Sequence, residues 1–99
     1  MGSSINRARR GLFKLMMRLP SRRDELRILW PQDDPFVALC EAYDDATDTL
    51  ERLVVRPLPG EFGLVAEYQA VCRDLETDVE QRCRAARLQP RSETPGSDT

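Results

Sequence analysis

The sequence predicts an all-α protein: an antiparallel two-helix hairpin over residues 34–88, with an amphipathic basic helix before it and a disordered tail after it. Three observations carry that reading. Apolar side chains recur at intervals of three and four along most of the chain, the spacing that places them on one face of a helix. Pro57-Leu58-Pro59-Gly60 packs two prolines and a glycine into four residues, which no continuous helix tolerates. The one short apolar run suited to a strand, ending at Trp30, has no second strand to pair with.

Residues 1–20 form the basic arm. Ile5, Ala8, Leu12, Leu15, Met16 and Leu19 line one face, Arg7, Arg10, Lys14 and Arg18 stand around the rest, and Pro20 ends the helix. Gly11 lies inside it at a cost of about 1 kcal/mol relative to Ala, so this helix is expected to need something covering its apolar face. Residues 21–33 read as a short packing segment and linker. Ser21-Arg22-Arg23-Asp24 has the spacing of a capping box, opening a turn or two through Leu26, Ile28, Leu29 and Trp30 before Pro31.

The hairpin begins at Asp33-Asp34-Pro35, where Asp34 serves as N-cap and Pro35 suits the first turn because its missing N–H needs no partner. Phe36, Leu39, Cys40, Tyr43, Ala46, Thr47, Leu50, Leu53 and Val54 then mark one apolar face, and Arg52 and Arg56 complement the helix dipole before Pro57. After the turn, Phe62, Val65, Tyr68, Cys72, Leu75, Val79, Cys83 and Ala86 repeat the period as far as Leu88. The short connection makes the two helices antiparallel neighbours. They span about 33 and 42 Å at 1.5 Å per residue, so the second outruns the first and leaves Cys83, Ala86 and Leu88 for the Trp30 segment to cover. Tyr43-x6-Leu50-Glu51 recurs as Tyr68-x6-Leu75-Glu76, which heptad-like packing explains without a duplication. Residues 89–99 have nothing to bury and read as a disordered tail.

Charge is unevenly distributed. Residues 1–30 carry eight basic and two acidic side chains, residues 31–80 three basic and thirteen acidic, and residues 81–99 four basic and two acidic, for a total of −2. A hydrophobic core drawn from roughly 60 residues is small, and chains of that size commonly gain stability from a disulfide, a metal or a partner. Cys40, Cys72 and Cys83 are odd in number, follow no secretory signal and are poorly matched across the hairpin, so they read as reduced, buried core residues in a cytoplasmic setting. The 14 arginines against one lysine suggest a GC-rich bacterial genome. Were the chain eukaryotic, residues 1–23, with seven basic and no acidic side chains, would suit an organelle presequence.

Little in the chain suggests catalysis. It contains no His, the commonest general base and metal ligand, and no phosphate-binding glycine loop or nucleophile elbow. No enzyme activity, metal, cofactor or small-molecule substrate is expected. Asp44, Asp45 and Asp48, like Asp74, Asp78 and Glu80, are carboxylate clusters, but most fall on the outward side of their helix and read as solvated. The basic arm admits three partners. Arg7, Arg9, Arg10, Lys14 and Arg18 can dock on the acidic hairpin of the same chain or a second copy, which ranks first because it satisfies both charge blocks. They can instead meet an anionic membrane surface, with Leu12, Phe13, Met16 and Leu19 entering the interface. Nucleic acid ranks last, because the neighbouring acidic hairpin repels phosphates.

The Asp-Asp-Pro-Phe-x-x-Leu-Cys-Glu-x-Tyr entry from Asp33 to Tyr43, with Glu67-Tyr68 and Leu75-Glu76 on the second helix, resembles short helical-hairpin proteins common in proteobacteria. The resemblance covers about half of the chain and implies the fold, with no catalytic residues to carry over. The expected function is a non-catalytic helical interaction module that forms homo-oligomers or binds a protein partner. Phe36, Tyr43, Leu50, Phe62, Tyr68 and Leu75 are its candidate contacts, and a peripheral membrane or nucleic-acid tether is the alternative.

Overall fold

The computed structural model describes residues 3–88, and the expected tail lies outside the described residues. Four α-helices follow one another: α1 (Ser3–Arg18), α2 (Arg23–Leu29), α3 (Asp34–Val55) and α4 (Phe62–Leu88), with a 3-10 turn over Pro20–Arg22 joining the first two. The chain is therefore all-helical among the described residues. It is a four-helix assembly rather than two helices carrying an arm, because α1 and α2 contribute to the same core as α3 and α4.

That core is continuous through all four elements. Ala8, Leu12 and Leu15 of α1, Leu26 and Leu29 of α2, Phe36, Cys40, Tyr43 and Ala46 of α3, and Cys72, Val79 and Cys83 of α4 all belong to it, with α1 packed mainly on α3 and α2 mainly on α4. α3 and α4 run in opposite directions, as three cross-helix pairs show. Arg82 reaches Asp33 at 3.4 Å, the Tyr43 hydroxyl reaches Glu76 at 2.6 Å, and Arg52 reaches Glu61 at 3.1 Å. At the far end of α4, Cys83 is fully buried and Ala86 half-buried in the cluster that holds Leu26, Leu29 and Trp30. Ile28 is exposed, and the side chain of Leu88 lies outside the described set.

Two helix starts differ from expectation. The N-cap of α3 is Asp33, whose side chain accepts from the Phe36 amide at 2.9 Å, so Asp34 and Pro35 occupy the first helical turn. With two adjacent aspartates, the one whose backbone is still extended becomes the cap, and that is Asp33. The Ser21 capping box does not form. Pro20 opens a 3-10 turn that absorbs Ser21, α2 starts at Arg23, and the preceding residue makes no side-chain cap bond.

Gly11 has a different role from that of a weak point in α1. A Cβ built there would overlap the Cys40 carbonyl oxygen and lie 2.6 Å from the carbonyl carbon, so the residue is bare because the backbones of α1 and α3 cross at this point. The turn between α3 and α4 is tied as well. Glu61 accepts two hydrogen bonds from Arg52, at 3.2 and 3.1 Å, and one from the Leu58 amide at 2.9 Å, while Gly60 takes a positive φ of 87°.

Candidate functional site

Two features stand out. One is a charged clasp between α1 and α3. The other is an apolar surface at the α3–α4 turn.

The clasp centres on Asp44, which is 0% exposed. Sequence periodicity places it on the solvated side of α3, but α1 crosses there and covers it. Lys14 Nζ lies 2.8 Å from Asp44 Oδ1, and Arg10 Nη2 lies 2.8 Å from Oδ2. Lys14 also meets Asp48 at 3.0 Å and donates to the Thr47 hydroxyl at 2.7 Å, and Arg10 approaches Asp48 at 3.6 Å. Burial works to raise the Asp44 pKa, yet hydrogen bonds from Arg10 and Lys14, reinforced by their charges, hold it below its ordinary value. Lys14 is the counterpart. Burial lowers its pKa, and bonding to Asp44 and Asp48 more than offsets that, leaving it raised.

The remaining basic residues of the arm divide. Arg7 pairs with Glu41 and Asp45, each at 3.3 Å, and Arg18 pairs with Glu76 on α4 at 3.2 Å. Arg9 is exposed and has no ion-pair partner among the described residues. A signal for this arrangement is present in the sequence. Arg7, Arg10 and Lys14 match Glu41, Asp44 and Asp48 at a constant offset of 34, so two helical charge ladders share one spacing.

The thiols and the phenol of the interior are held in their protonated forms. Burial, with the nearby Cys83, pushes the Cys40 thiol up to about 12; burial, with Glu25, pushes Cys83 up to about 11; burial also raises Cys72. All three are free and buried. The Tyr43 hydroxyl is raised by burial and by donating to Glu76. No buried side-chain N or O lacks a hydrogen-bond partner among the described residues, so the charges of the clasp are matched within the protein.

The six candidate contacts separate in the same way. Phe36 and Tyr43 are buried in the core, Leu50, Tyr68 and Leu75 are half-buried against it, and Phe62, assigned to the apolar stripe, is 72% exposed. Of the side chains that would enter a membrane, Leu12 is buried and Met16 and Leu19 are packed on the core, leaving Phe13 exposed. No helix among the described residues is long and apolar enough to cross a membrane.

Exposed large apolar residues instead concentrate at the turn. Val54, Val55, Leu58 and Phe62 are all more than half exposed, whereas the others (Ile5, Phe13, Met17, Ile28 and Val71) are spread over α1, α2 and α4. The Arg52–Glu61 and Leu58–Glu61 bonds hold that segment in one shape. Beside it, on the outward side of α3, Asp48, Glu51, Arg52, Val55 and Arg56 line a shallow hollow of about 370 Å³. Against this geometry, no family model, curated protein or solved structure matches the chain.

Proposed function

We propose that this protein is a small non-catalytic helical interaction module that self-associates or binds a protein partner, and that it does so through the turn between α3 and α4. The supporting observation is the concentration of Val54, Val55, Leu58 and Phe62 in one exposed, hydrogen-bonded turn. Apolar surface gathered in one short segment of a small protein marks an interaction site more often than scattered exposed residues do. Its fixed shape means that little ordering is needed on binding. The tether alternative loses support because the apolar stripe of α1 is already packed on α3.

Sedimentation velocity over a concentration series tests the reading. The full chain is expected to rise above its monomer mass of 11.3 kDa as concentration increases, and Leu58→Ser/Phe62→Ser to remain at that mass. Both substituted side chains are already in water, so the variant should fold normally, which circular dichroism checks. A wild type that stays monomeric into the high micromolar range would remove the self-associating form of the proposal.

A further inference from the structure

The two unpaired charges at the end of α3 specify how a second copy would dock. Glu51 and Arg56 both border the shallow hollow beside the turn, and neither side chain has an ion-pair partner among the described residues. Their neighbours are already engaged, Asp48 with Lys14 and Arg10, and Arg52 with Glu61. The hollow is therefore lined by one free acid and, about five residues further along the chain, one free base, together with Val55.

A surface with both signs in a row complements itself when turned through 180° about an axis at its middle, which a two-fold interface requires: residue i meets j and j meets i. We infer that this face is a homodimer interface in which the last turns of two α3 helices run antiparallel, Glu51 of each copy pairing with Arg56 of the other, with the exposed apolar residues of the turn closing over the contact. Antiparallel packing also sets the helix dipoles in the favourable sense.

Area supports a second copy as the occupant. Val54, Val55, Leu58 and Phe62 at their observed exposures present roughly 400 Å² of apolar surface. One side of a standard interface buries about 800 Å², somewhat over half of it apolar. The turn thus supplies about the apolar share that one side needs, and the charged hollow supplies a polar rim.

This inference rests on the reading of the turn as an interaction surface, and charge reversal tests it separately. Glu51→Arg makes both rim charges positive and Arg56→Glu makes both negative, so each variant alone is expected to dimerise about tenfold more weakly than wild type. Mixed together, the two should form a heterodimer of wild-type strength, and Glu51→Arg/Arg56→Glu in one chain should restore the homodimer. Sedimentation velocity with one partner fluorescently labelled reads all four cases. If association depends on Leu58 and Phe62 but the reversals have no effect, or the mixture fails to pair, the two-fold register is overturned while the interaction surface stands. A monomeric wild type overturns both.

Discussion

Gly11→Ala provides a test whose sign alone is decisive. On an exposed helix the change stabilises by up to about 1 kcal/mol, because Ala is the better helix former. Here the new methyl would lie 2.6 Å from the Cys40 carbonyl carbon, where ordinary contact begins at 3.4 Å, and would overlap the oxygen. The obstacle is backbone, so no side chain can swing aside, and α1 must retreat from α3 by about 1 Å. A gap of that size forfeits a quarter to a half of the contact energy along the seam. Leu12 and Leu15, each contributing about 2 kcal/mol when buried, together lose about 1–2 kcal/mol, and strain from overpacking adds about 1–3 kcal/mol. After the propensity gain is subtracted, a net loss of about 2 kcal/mol remains, which lowers the melting temperature of so small a domain by roughly 10 °C. Urea and thermal unfolding followed by far-ultraviolet circular dichroism measure it. Gly63→Ala is the control: it lies in α4 with nothing within 4 Å of an added Cβ, and should be neutral or stabilising. A Gly11→Ala variant as stable as wild type would refute the close crossing of α1 and α3.

Four other outcomes are expected. Because the folded pKa of Asp44 lies below its unfolded value, its contribution is fully present above the ordinary carboxylate range and is lost as pH falls through the depressed value; Asp44→Asn should therefore flatten the acid side of a stability–pH profile below about pH 4. Truncation to Asp44→Ala should cost about 2 kcal/mol at neutral pH, less than a fully enclosed pair because Arg10 and Lys14 keep access to water and to Asp48, and chemical denaturation reads the loss. With Cys40 pushed up to about 12 and Cys83 up to about 11, native protein at pH 8 should react with a thiol reagent far more slowly than urea-unfolded protein; stoichiometric labelling within the mixing time would contradict their burial. Asp33→Ala should lose about 1 kcal/mol with the Phe36 cap bond, whereas Asp34→Ala should change stability by a few tenths, a contrast that equilibrium unfolding resolves.

What could be read from the sequence was what depends on near neighbours. Spacing at three and four residues identifies helical segments because each turn places those residues together, and Pro20, Pro57 and Gly60 mark breaks because their backbone restrictions act locally. Capping was readable only approximately: Asp33 and Asp34 offer the same carboxylate, and only the backbone conformation distinguishes them. The burial of Asp44 and the need for Gly11 were not readable from either helix alone. Both follow from α1 crossing α3, a contact between residues about thirty positions apart in which a charged face on each helix becomes interior once the two meet. Phe62 went astray for the opposite reason. It keeps the apolar period of α4 but is the first residue of that helix, level with the last turn of α3, where Val54, also placed on the apolar face by its spacing, is exposed as well.

Glu76 gives the assembly a property that no single helix has. Its Oε2 accepts from Tyr43 of α3 at 2.6 Å and from Arg18 of α1 at 3.2 Å, so one oxygen on α4 is shared with two other helices. Lifting α1 away would unpair Arg18, strip Lys14 and Arg10 from a carboxylate inside the protein, and wet Leu15. A segment with those obligations does not fray independently. Its hydrogen-bonded amides beyond the first turn should exchange with deuterium only when the four helices open together, so that the body of α1 and the core share one opening free energy and the described helices behave as a single cooperative unit.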